Sequence, residues 1–119
     1  MIHHVQLACP AGSEPVLRSF YTGVLGLTEV PKPPVLAARG GCWFAMPDGC
    51  ELHLGVEEDF RPARKAHPGL VWPALDRLAS RLQAAGHGVR WAAPEEIPGR
   101  QRFHTYDPVG NRLEFLDSV

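Results

Sequence analysis

The sequence lacks most of the features that would send a chain across a membrane or onto a charged polymer. No apolar run approaches the roughly 20 residues that a membrane-spanning helix needs. The opening MIHHVQLACP carries neither a basic leader nor a long apolar stretch, so no signal peptide is expected. A formal charge of −1, from 12 Lys and Arg against 13 Asp and Glu, leaves no general basic field, so neither nucleic acid nor a membrane surface is an expected partner. Cysteine is scarce: Cys9, Cys42 and Cys50 are odd in number and form no C-x-x-C pair. They suit a reducing cytoplasm and read as small packed residues, not a disulfide framework. With 119 residues and 45% hydrophobic content, the chain is long enough to build one core without a covalent or metal staple.

What is present is a weak internal repeat. HHVQLAC (3–9) and HPGLVWP (67–73) both read as strands. Each precedes a helix: Ser13, Glu14 and Pro15 start the first, which stops at Gly26, and Asp76 begins DRLASRLQAAG, which stops at Gly86. Short apolar runs between turn signals follow each helix. They are VLAARG, CWFAMP and CELHLGV in the first half, and GVRWAA, RFHTYD and NRLEFLD in the second. Each half therefore reads β-α-β-β-β, in an α+β chain with module one at about 1–56, a polar linker at 57–66 and module two at about 67–119. A small sheet with one covering helix buries one face only. Two such sheets facing each other would enclose a cavity lined by whatever points inward.

Strand alternation separates the inward residues from the core. In IHHVQLA, Val5 and Leu7 share the apolar face with His3, which leaves His4 and Gln6 on the other. In ELHLGV, Glu51 and His53 oppose Leu52, Leu54 and Val56; in HPGLVW, His67 opposes Leu70 and Trp72. In NRLEFL, Arg112 and Glu114 oppose Leu113 and Phe115. The first and last strands of both halves thus each offer one metal ligand on the non-core face: His4, His53, His67 and Glu114. Three imidazoles and a carboxylate suit a divalent ion such as Zn, Ni, Mn, Co or Fe. On RFHTYD, Phe103 and Thr105 take the core parity, which turns Arg102 and His104 inward. Trp43 and Phe44 read as core, and Asn111 as a turn residue that serves DPVGN through its side chain and its tolerance of unusual φ.

HVQL (4–7), FYTGVLGL (20–27), ELHLGV (51–56), HPGLV (67–71), the stretch ending at Gly86 and DPVGNRLEF (107–115) together make the chain resemble the vicinal oxygen chelate superfamily. That superfamily includes glyoxalase I, extradiol dioxygenases, thioltransferases and bleomycin-resistance proteins. The resemblance implies paired βαβββ modules forming a cupped mixed sheet around a divalent metal. It places metal positions on His4, His67 and Glu114, with His53 where glyoxalase I supplies a glutamate. It further implies that Glu114 moves a proton between adjacent substrate carbons and that Arg102 and His104 contact substrate; strand parity makes Glu51 a second candidate base and Gln6, two residues past His4, a polar wall residue. Arg102 would hold a carboxylate or phosphate.

The expected activity is that of a metal-dependent, glyoxalase-like lyase or isomerase acting on a small oxygenated molecule. The alternative is a non-catalytic protein that sequesters a small molecule or drug, with dioxygenase and thioltransferase chemistry further behind. A homodimer in the cytoplasm is the expected state.

Overall fold

A computed structural model of the chain describes residues 1–118; Val119, where the expected second module ends, lies outside the described residues. The chain forms two compact units, Met1–Pro62 and Ala63–Val119. The first contains β1 (His4–Cys9), α1 (Glu14–Arg18) running into a π-helical segment (Ser19–Val24), β2 (Thr28–Val30), α2 (Pro34–Ala37), β3 (Cys42–Ala45) and β4 (Glu51–Val56). The second contains β5 (Gly69–Val71), α3 (Leu75–Ala84), β6 (Arg90–Trp91), β7 (Arg102–Tyr106) and β8 (Arg112–Leu116). Both units carry a four-stranded mixed sheet of the same topology, ordered β1-β4-β3-β2 and β5-β8-β7-β6. In each, the first strand pairs parallel with the last and the remaining pairs are antiparallel. This is an α+β chain of two βαβββ modules.

The helices form for local reasons. In α3, Leu75, Leu78, Ala79 and Leu82 recur at helical spacing and are all buried. Its end is a Schellman motif: Gly86 adopts φ 88°, the His87 amide donates to the Leu82 carbonyl at 2.8 Å, and the Gly86 amide donates to Gln83 at 3.0 Å. In the first unit the π-helical turn brings the consecutive Phe20 and Tyr21 into the core together. Successive residues there are separated by a narrower angle than the about 100° of an α-helix.

Two expectations are corrected. The run VLAARG is not a strand, because Pro34 opens a short helix there, where its missing amide hydrogen costs nothing. Gly40 and Gly41, both at positive φ, end the segment, and the second strand of the unit is instead TEV, paired with Trp43–Ala45. Asn111 does not supply unusual φ to the DPVGN turn. Gly110 takes φ 97°, while the Asn111 Nδ2 donates to Asp107 Oδ2 at 2.9 Å.

The core of each unit follows the alternation. Leu52, Leu54 and Phe44 are buried with Leu17, Phe20 and Tyr21 in the first unit, and Phe103, Leu113 and Phe115 with Leu78 and Leu82 in the second. Every polar residue on the intervening positions is thereby turned to the opposite face of its sheet. Burying one such leucine stabilises by about 2 kcal/mol, so a one-residue register slip that exposes several is strongly disfavoured.

Candidate functional site

In the first unit, β1 and β4 lie side by side and bring His4, His53 and Glu51 together. The His4 and His53 rings stack at 4.2 Å, and the indole of Trp43 stacks on the other face of His53 at 4.1 Å. Trp43 is therefore not a core residue like Phe44; it holds His53 in place on the opposite face. His53 Nε2 lies 2.9 Å from Glu51 Oε1. Burial lowers the His53 pKa, partly offset by that carboxylate, while the hydrogen bond from His53 lowers the Glu51 pKa. Gln6 lies over Gly55, where a β-carbon would come within 2.8 Å of its Nε2.

The expectation that His3 and His4 separate onto opposite faces also needs correction. The strand begins at His4, so His3 is not bound by alternation, and its Nδ1 lies 2.9 Å from His4 Nδ1.

The second unit gathers a tighter cluster. β7 and β8 pair with His104 opposite Glu114, and β5 places Gly69 opposite Glu114 from the other side. His67 Nε2 lies 2.9 Å from Glu114 Oε2, and His104 Nε2 lies 3.7 Å from the same oxygen. These three are the described residues whose ligand atoms fall within 4.8 Å of one another as a possible metal-holding group. Arg102, expected to meet substrate, is already engaged: its Nε donates to Glu114 Oε1 at 2.6 Å and its Nη1 to Glu96 Oε2 at 2.7 Å. Burial raises the Glu114 pKa, but the hydrogen bond from Arg102 and the nearby His67 imidazole outweigh it and hold the carboxyl below its ordinary value. Burial, reinforced by the Arg112 charge, lowers the His104 pKa.

The donor set fits a divalent ion. His67 Nδ1 lies 2.6 Å from the Lys65 carbonyl, which can only accept, so Nδ1 carries the ring proton. Nε2 then faces Glu114 Oε2, another acceptor. Only a second proton on Nε2 or a cation shared by the two atoms makes that approach favourable. An outer carbonyl that fixes one ring nitrogen and frees the other is the usual support of a metal-ligating histidine. Two ligands bonded at about 2.1 Å to one tetrahedral ion lie roughly 3.4 Å apart, between the two separations seen here.

A cavity of about 750 Å³ opens on this face of the second sheet, lined among others by Arg90, Glu96, Arg102, His104, Tyr106 and Arg112. Arg90, Tyr106 and Glu96 were not singled out in the sequence. Arg112 shares the parity of Glu114, a signal that was readable, whereas the two-residue β6 is too short to display alternation around Arg90.

Two mixed sheets of this topology, with a His/His/Glu cluster on the non-core face, define a member of the vicinal oxygen chelate superfamily. The chain is 40% identical to a protein from Bacillus anthracis assigned to the glyoxalase family, with a TM-score of 0.93, covering 100% of this chain and 95% of that one. It belongs to the glyoxalase family. Two further solved structures share its fold. A glyoxalase/dioxygenase from Nostoc punctiforme is 24% identical (TM-score 0.77, coverage 100% and 91%), and a lactoylglutathione lyase from Agrobacterium tumefaciens is 20% identical (TM-score 0.74, coverage 99% and 93%). No family model and no curated protein matches the chain significantly.

Proposed function

We propose that the protein is a divalent-metal-dependent, glyoxalase-like enzyme that carries out lyase or isomerase chemistry on a small oxygenated substrate. The observation that carries this reading is the approach of His67 Nε2 to Glu114 Oε2 with the other nitrogen of His67 committed to a backbone carbonyl. His67, Glu114 and His104 would hold the ion, which when bound supplies Lewis-acid stabilisation of negative charge on adjacent substrate oxygens. Glu114 is the acid–base candidate: its carboxylate would take a proton from one substrate carbon and return it to the next. Arg102 keeps that carboxylate ionised and aimed until then. The membership in the glyoxalase family supports the reading, as does the similarity in fold to a lactoylglutathione lyase.

A second reading, a protein that sequesters a small molecule without catalysis, is favoured by one observation. Arg102 already gives Glu114 a cationic partner. Metal analysis of untagged protein separates the two. About one divalent ion per chain, lost in His67→Ala and Glu114→Gln, supports the enzyme. No ion after separate incubation with Zn, Ni, Mn, Co and Fe refutes it and leaves the binder. His4→Ala in the same assay tests the separate expectation that His4 is a ligand.

A further inference from the structure

Arg102 was the residue expected to hold an anionic group, and its guanidinium is occupied by two carboxylates of the chain itself. Two other arginines on the same face are not. Among the described residues the Arg90 guanidinium has no ion-pair or hydrogen-bond partner, and that of Arg112 reaches only the Lys65 carbonyl, at 3.4 Å. Strand register places both beside the donor cluster. Arg90 pairs with His104 across β6 and β7, His104 pairs with Glu114, and Arg112 pairs with Tyr106 at the far end of the β7–β8 ladder. Together they line the 750 Å³ cavity, where Glu96, the only lining carboxylate among the described residues, is already committed to Arg102. A cavity of this size suits a small ligand. Placing two guanidiniums with no carboxylate partner among the described residues in it, in a chain whose formal charge is −1, creates a local positive field.

We infer that Arg90 and Arg112 recognise an oxyanion group, a carboxylate or phosphate, on the substrate. The substrate class is then a small anionic molecule whose charged end sits on these arginines while its oxygenated carbons lie toward His67, His104 and Glu114. Tyr106, half-exposed beside Arg112, supplies an aromatic wall. The guanidinium fork suits either oxyanion through paired hydrogen bonds. This assignment rests on the reading of that cluster as the reacting centre.

The test is a set of titrations of the full-length chain followed by amide NMR at constant ionic strength. The probes are inorganic phosphate, lactate and, as the neutral counterpart of lactate, propane-1,2-diol. Wild type should bind at least one of the two anions saturably, with shifts at Arg90, His104 and Arg112, and bind the diol at least about tenfold more weakly. Preference for lactate or for phosphate identifies the group. Arg90→Gln and Arg112→Gln should each weaken anion binding about tenfold or more, as expected for loss of a charge-assisted contact. Arg112→Lys, which keeps the charge but not the fork, should fall between and guards against a folding defect. Arg81→Gln on α3 should bind as wild type does. Equal binding of lactate and the diol, or unchanged binding in the Arg90 and Arg112 variants, overturns the inference. Metal content measured on the same samples keeps the two proposals apart. Arginine-dependent anion binding in protein that takes up no metal would refute the metalloenzyme and leave the anion pocket. Metal uptake with arginine-independent binding would do the reverse.

Discussion

Replacing Asp107 by alanine should destabilise the protein by about 3–4 kcal/mol, an effect read from the turn that joins β7 to β8. Asp107 Oδ1 accepts from the Val109 amide at 3.0 Å and the Asn111 amide at 2.9 Å, and Oδ2 accepts from Asn111 Nδ2 at 2.9 Å. Both Asp107 and Asn111 are buried, 4% and 6% exposed, so water cannot fully replace the lost acceptor. Hydrogen bonds to a charged partner contribute about 1.5–3 kcal/mol each and are not additive within one network. The Val109 amide is partly accessible and recovers some of its loss from solvent, which brings the sum to about 3–4 kcal/mol. With a total stability of roughly 5–15 kcal/mol the variant still folds at room temperature. Urea unfolding is the assay. At a slope of about 1.5 kcal/mol/M, the midpoint should fall by roughly 2–3 M with the slope unchanged. Asp107→Asn retains a carbonyl for the two amides but opposes its Nδ2 to that of Asn111, so it should lose about half as much. A loss below about 1 kcal/mol for Asp107→Ala would refute the claim that this carboxylate holds the turn. The functional stake is direct, because the turn sets the register that places His104 opposite Glu114.

Four further outcomes are expected. Gly41→Ala should unfold the protein or cost more than about 3 kcal/mol, since φ is 82° and a β-carbon would lie 2.1 Å from the Leu54 carbonyl oxygen; Gly49→Ala, at φ 89° with open space around it, should cost only about 1 kcal/mol in thermal melts. Cys50, partly accessible, should react with a thiol reagent at pH 8 in the folded protein, whereas Cys42, buried so that its thiol is pushed up to about 12, should react only on unfolding. Because that value lies above the ordinary 9.0, the stability contributed by the neutral Cys42 thiol is complete below about pH 9 and is lost as pH rises toward 12; alkaline unfolding of Cys42→Ala should be correspondingly flatter. Thr105→Val should cost about 1 kcal/mol and raise hydrogen exchange around Gly88, because the buried hydroxyl donates to the Gly88 carbonyl at 2.6 Å at the cavity rim.

Much of the architecture was legible because it rests on local rules. Period-two alternation in β1, β4, β7 and β8 sorts Leu52 and Phe115 from Glu51 and Glu114 without any knowledge of partners. The stop of α3 at Gly86 follows from the same kind of rule, since glycine adopts the left-handed conformation at little cost. The short elements escaped: α2 and β2 span four and three residues, too few to show a period, and VLAARG is as compatible with one turn of helix as with a strand.

The sequence by itself therefore determined the repeat, the two-module α+β class, and the faces on which His53, His104, Glu114 and Arg102 lie, because those depend on neighbours along the chain. Tertiary structure alone decided which side chains are spoken for. That Arg102 is held by Glu114 and Glu96, that His53 is clasped between His4 and Trp43, and that, among the described residues, no carboxylate pairs with Arg90 or Arg112 around a cavity are products of how the strands and loops come together. Alternation assigns a face to each residue. Only the register between strands assigns it a partner, and a charged group's chemistry depends on whether that partner is present.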